Sequence, residues 1–145
     1  MTAPAPAVGR SGRARTRSRW LVAPLAVVAA VLVNLAVFGV GRLAGGTFTF
    51  TAAGIGRTTV DALTVVGFTA LPLGLGLLIV TVLARPLPWT VPVASVVAPL
   101  LAIGTIALMT LPADFDVVST VTLAACHLSL APISVLALRR IGRLS

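Results

Sequence analysis

The sequence predicts an all-α fold, a bundle of four transmembrane helices with antiparallel neighbours behind a disordered N-terminal tail. Of 145 residues, 58% are hydrophobic and only 10% are charged. A soluble domain carries about a quarter of its residues charged. The missing charge leaves four long uncharged stretches, and the segments between them are marked by Pro, Gly, Thr and Arg. A bilayer accounts for this pattern better than a water-soluble core does.

Residues 1–19 are rich in Pro, Ala, Ser, Gly and Arg and, after Met1, hold no large apolar residue except Val8. Such a segment buries too little surface to offset its ordering entropy, so a disordered tail is expected here, ahead of a transmembrane domain over residues 20–145. Five arginines followed by an apolar run resemble a signal peptide. The run is about twenty residues long with no small-x-small cleavage site, which reads as a retained first span.

Span one covers 20–41 and is apolar apart from Asn34. At 1.5 Å per residue, 22 residues reach about 33 Å, enough for the hydrocarbon core. The connection 42–60 contains Gly45, Gly46, Gly54 and Gly56 and the alternating run Thr47 to Thr51. This predicts a short extended segment at the membrane face, its Phe side chains turned to lipid or helix ends. Thr58 or Thr59 is expected to cap the next helix. Asp61 is placed in its first turn, where the helix dipole favours an acid. Span two covers 61–84.

Arg85-Pro86-Leu87-Pro88-Trp89 permits only a tight turn, and span three covers 90–111. Pro112 to Asp116 form another short turn, in which Asp114 and Asp116 read as solvated carboxylates. Span four covers 117–138, and Arg139, Arg140 and Arg143 follow.

Positive residues are retained in the cytoplasm. With both termini inside, Arg10, Arg13, Arg15, Arg17, Arg19, Arg85, Arg139, Arg140 and Arg143 fall inside, and only Arg42 and Arg57 fall outside. The expectation is therefore a multi-pass protein of the cell (plasma) membrane with N- and C-termini cytoplasmic. Trp20 and Trp89 then lie at the inner interface. The formal charge of +8 resides at helix ends. It is assigned to topology and to anionic lipid headgroups at the Arg-rich tail, with no nucleic acid as partner.

Small residues at four-residue spacing supply helix-packing faces in lipid. These are Ala26, Ala30 and Asn34 in span one, Ala70 and Gly74 in span two, and Ala94, Ala98 and Ala102 in span three. Thr120, Ala124, His127, Ala131 and Ser134 line one side of span four. Pro24, Pro72, Pro99 and Pro132 are expected to give mild kinks.

Asn34 and His127 are the candidate intramembrane polar contacts, since such residues in a span usually face protein or water. Their similar depth allows contact if spans one and four are neighbours. His127 reads as a neutral ring bonded to Asn34, Ser or Thr that fastens helices. The rival reading is a proton or solute relay, which needs a second titratable group at that depth, and the sequence holds none.

Gly39-x-Gly41-x-x-Ala44 follows a membrane helix rather than a strand, and Gly56-Arg57-Thr58 lacks the Lys of a phosphate loop. Cys126 and His127 are adjacent and point about 100° apart on a helix, poor geometry for a metal or a nucleophile–base pair. No catalytic residue, metal ligand or cofactor is assigned, and a single Cys excludes an intramolecular disulfide.

Trp89 at the start of span three, Ser95 with Pro99 inside it, and Leu123, His127 and Leu128 in span four carry a resemblance. The chain resembles an uncharacterised family of small four-helix membrane proteins from high-GC bacteria, catalogued as a domain of unknown function. Cys126 stands where relatives often carry Met. The resemblance implies four spans and no established activity. The reading is a non-enzymatic structural or accessory membrane component whose partner is another membrane protein or a second copy of itself. The alternative is a small oligomeric carrier or channel whose path Asn34 and His127 line. An enzyme acting on lipid would need an acidic or nucleophilic cluster near an interface, and only Asp114 and Asp116 come close.

Overall fold

A computed structural model describes residues 10–145, with side chains from Ser18 onward. Helix α1 runs Arg10–Leu43, α2 Ala62–Leu83, α3 Thr90–Thr105 with a π-helical turn Ile106–Thr110 at its end, and α4 Val117–Leu144. Between α1 and α2 lies a hairpin of β1 (Thr49–Ala52) and β2 (Gly56–Thr59), antiparallel, with Thr49 opposite Thr59 and Ala52 opposite Gly56. All four helices are long and apolar enough to cross a membrane.

Helix α1 begins at Arg10, so the part of the tail from there to Arg19 is helical where disorder was expected. No proline stands between Pro6 and Pro24, and Arg is a strong helix former, which favours helix here despite the cost of Gly12. The rest of the expected disordered tail, residues 1–9, lies outside the described residues. The side chains of Arg10, Arg13, Arg15 and Arg17, assigned to anionic headgroups, lie outside them too. Helix α4 likewise runs past residue 138 to Leu144.

Helices α1 and α4 form the central pair, α2 packs on α1, and α3 packs on α4. The α1–α4 seam is antiparallel along its whole length. Phe48, just beyond α1, meets Ser119; Asn34 meets Cys126 and Ser129; Arg19 meets Ser145. Helices α2 and α3 barely touch, which leaves a cleft between them.

The interior has three layers. Near the termini, Val22, Leu77, Val80, Ala137, Leu138 and Ile141 form an apolar cluster. Near the hairpin, Phe38, Phe48 and Val65 form a second. Between them lie Asn34, Thr69, Cys126 and Ser129, a polar layer that lipid would not tolerate unpaired. The small-residue faces are used in part: Ala30, Asn34 and Ala102 are buried. In α4 the buried side is Ser119, Thr122, Cys126, Ser134 and Ala137, rotated from the predicted line through His127.

At the terminal end, Arg19 is 4% exposed. It donates to Ser145 Oγ at 3.4 Å and lies 5.6 Å from the Trp20 ring centre. Its aliphatic stem fills space that a small residue would leave open.

Candidate functional site: an intramembrane polar layer under a strapped hairpin

Asn34 is 2% exposed and joins three helices. Its Nδ2 donates to Thr69 Oγ1 of α2 at 2.9 Å, and its Oδ1 accepts from Ser129 Oγ of α4 at 2.6 Å. The Cys126 thiol lies 3.7 Å from its backbone oxygen. A buried amide needs partners for both ends, and this one has them.

His127 does not reach Asn34 by a hydrogen bond. It turns toward α3, where Nδ1 lies 3.2 Å from Thr105 Oγ1. The 100° step between neighbours on a helix explains this: Cys126 takes the α1 side and His127 the α3 side. The two expected polar residues thus serve two different helix pairs, though both line one recess.

Asp61 is the N-cap of α2, one position before the first turn in which it was expected. It accepts from Thr64 N at 2.7 Å and from Thr64 Oγ1 at 2.6 Å. Those two bonds hold its carboxyl below the usual range, the hydroxyl bond first. Thr58 and Thr59, expected as caps, belong to β2 instead.

Asp114 and Asp116 are not a merely solvated turn; they strap the hairpin to the α3–α4 connection. Asp114 accepts from Thr51 N at 2.6 Å and from Thr51 Oγ1 at 2.7 Å. Asp116 caps α4 through Ser119 N at 2.9 Å and Ser119 Oγ at 2.6 Å, and also accepts from Thr47 N at 3.0 Å and Thr47 Oγ1 at 2.7 Å. Charge-assisted bonds of this kind favour the ionised form. The Thr51 amide and hydroxyl accordingly hold Asp114 below the ordinary carboxylate range, and Ser119, then Thr47, hold Asp116 far below it.

Phe48 is the hairpin's anchor. It is fully buried, with its ring 4.6 Å from that of Phe38, and its φ of 57° is a conformation few non-glycine residues adopt. Its amide donates to Ser119 Oγ at 2.8 Å. The alternation of Thr47 to Thr51 marked an extended segment that the structure begins at Thr49; Phe48 turns inward, while Phe50 packs against Phe115 with ring centres 4.9 Å apart and planes tilted by 45°.

Beneath the hairpin lies a recess of about 300 Å³, lined among others by Asn34, Thr64, Phe68, Thr69, Phe115 and His127. A second recess of about 540 Å³ occupies the α2–α3 cleft, walled by Leu73, Gly76, Ala94, Ala98 and Leu130. Phe68, Met109, His127 and Leu130 line both. Thr69, Ser129 and Thr105 were not singled out from sequence. Their partners lie on other helices, and one hydroxyl among many in a span gives no signal of its own.

A family described as "Family of unknown function (DUF6069)" matches residues 14–143. The chain belongs to DUF6069. The match runs from the Arg-rich start of α1 to the last turn of α4, so the bundle and its hairpin form the unit that the family defines. Comparison with curated proteins and with solved structures finds no match.

Proposed function

We infer that the protein is a non-enzymatic structural or accessory component of the cell membrane, inserted with both termini in the cytoplasm. The observation that supports this most is how its polar side chains are used. Asn34, Thr69 and Ser129 fasten helices, while Asp61, Asp114 and Asp116 cap helices and hold the hairpin. The orientation is supported by Arg85, Arg139, Arg140 and Arg143 at the terminal end against Arg42 and Arg57 at the hairpin end. The same reading gives the Arg-rich start of α1 anionic headgroups as neighbours, and another membrane protein or a second copy as partner.

Membrane-impermeant maleimide on intact cells tests the orientation. In a Cys126→Ser background, Ala53→Cys in the exposed hairpin turn should label, and Ser145→Cys should label only after permeabilisation. The reverse pattern overturns it.

The recess reaching both Asn34 and His127 favours a second reading, a small carrier. Under the first reading His127→Leu lowers thermal stability in detergent, and proteoliposomes of either form show no pH-dependent flux. Unchanged stability with loss of such a flux would establish the carrier.

A further inference from the structure

We propose that the joined recesses bind one uncharged, hydroxyl-headed membrane lipid, its head hydrogen-bonded at His127 and Thr69 and its chain lying in the α2–α3 cleft. Three independent features lead there.

The first is the hydrogen-bond polarity of the wall. Thr105 Oγ1 lies 2.9 Å from the carbonyl of Leu101 and 2.8 Å from that of Ala102, so its one proton is committed to the backbone. Toward His127 Nδ1, at 3.2 Å, it acts as acceptor. A neutral imidazole carries one N–H and one lone pair. With Nδ1 as donor, Nε2 presents the lone pair and asks for a donor from the ligand. Thr69 Oγ1 accepts from Asn34, and its own proton has no acceptor among the described residues. One hydroxyl supplies both needs: it donates to Nε2 and accepts from Thr69. An ether, ester or ketone supplies only the second.

The second feature is depth and charge. His127 lies ten residues into α4 and Asn34 nine residues from the end of α1, which places both about 15 Å down, near the middle of a core about 30 Å thick. Among the described residues, none lining either recess carries a formal charge. A phosphate drawn to that depth without a counter-charge pays a desolvation cost that nothing here offsets. A hydroxyl pays little.

The third is shape. The inner recess is apolar, with Ile79, Val97 and Leu101 at its rim exposed to the surroundings, so a chain can enter sideways from the bilayer. Both volumes fall within or beside the range of about 300–1,000 Å³ typical of small-molecule sites. Phe50, Phe68 and Phe115 give the outer recess an aromatic wall for the head. The site holds whichever way the bundle is inserted, so it stands or falls apart from the proposed topology.

The test is saturable binding of tritiated hexadecanol to the full chain in nanodiscs, with competition by unlabelled hexadecanol, hexadecyl methyl ether and hexadecyl phosphate. The alcohol should compete about tenfold better than the ether, the worth of leaving a buried acceptor unpaired, and the phosphate should compete no better than the ether. A second arm uses Gly76→Leu. A Cβ at Gly76 meets nothing within 4 Å, so the side chain fills the recess without displacing a helix and should abolish saturable binding at unchanged thermal stability. Equal competition by the ether or the phosphate, no saturable binding, or full binding by the Gly76→Leu protein would each overturn the proposal.

Discussion

Replacing Asn34 by Leu removes a side chain that bonds α1 to both α2 and α4. Two hydrogen bonds are lost, to Thr69 at 2.9 Å and from Ser129 at 2.6 Å. Interhelical bonds in membranes average about 0.6 kcal/mol and reach about 1.7, so the pair contributes roughly 1–3 kcal/mol. The two partners are left unequal. Ser129 keeps an acceptor in the Cys126 carbonyl at 2.8 Å, while Thr69 loses its donor inside a site 3% exposed. The loss should therefore fall more on the α1–α2 contact. Reversible unfolding of the bicelle-reconstituted protein, combined with double-mutant cycles to Thr69→Val and Ser129→Ala, measures both couplings. Destabilisation below about 0.3 kcal/mol for Asn34→Leu, too little for even one average bond, would refute the view that this amide fastens the bundle.

Phe48→Ala should cost about 3 kcal/mol, the usual loss for truncating a fully buried ring, and should expose the hairpin to protease; an unchanged unfolding midpoint would count against the anchor role. Gly41→Ala drives a methyl into Thr122 and, at 2.9 Å, into the Phe48 ring, so about 1–3 kcal/mol of overpacking is expected. Gly39→Ala, where a Cβ meets nothing within 4 Å, should cost nothing and stabilise by up to about 1 kcal/mol in the same assay. The carboxyls of Asp114 and Asp116 sit below their ordinary value of 3.8. Their contribution is complete above that value and is lost as pH falls through the lower folded values. Amide protection factors at Thr47 and Thr51, taken against intrinsic exchange at each pH, should persist at pH 3.8 and fall well below it in the parent, and the Thr47 factor should already be small at pH 7 in Asp116→Asn; factors unchanged by acid and by that substitution would contradict the strap.

The four helices were legible because a span is a one-dimensional signal: Trp20 to Gly41 or Thr90 to Leu111 declares itself by length and lack of charge. Asp61 was legible nearly to the residue for the same reason, since a cap acts within one turn. The strap was not. Thr47 and Asp116 are 69 residues apart and Thr51 and Asp114 are 63 apart, and no local rule pairs them. The hairpin left signals in the Thr-Phe alternation and in Gly54 and Gly56, whose φ values are +77° and +86°, but strands of four residues are too short to announce two-stranded pairing. Asn34 was found because an amide in lipid is rare. Its partners were missed because hydroxyls are common there, and Cys126 was weighed only as a metal or nucleophile partner of His127, from which it points about 100° away.

The π-helical turn at Ile106–Thr110, closed by Leu111 N to Ile106 O at 2.9 Å, carries one residue more per turn than its neighbours. That surplus sets the phase in which the chain leaves α3. Excising one residue there would restore the regular winding and leave the downstream direction nearly unchanged, whereas excising one from the α-helical length before it would swing everything downstream by about 100°, carrying the Asp114 carboxylate away from Thr51. A local irregularity in one helix thus acts as the indexing step that brings the far turn into alignment with the hairpin, and deletion of a single residue should be tolerated better in those five positions than anywhere in the apolar length before them.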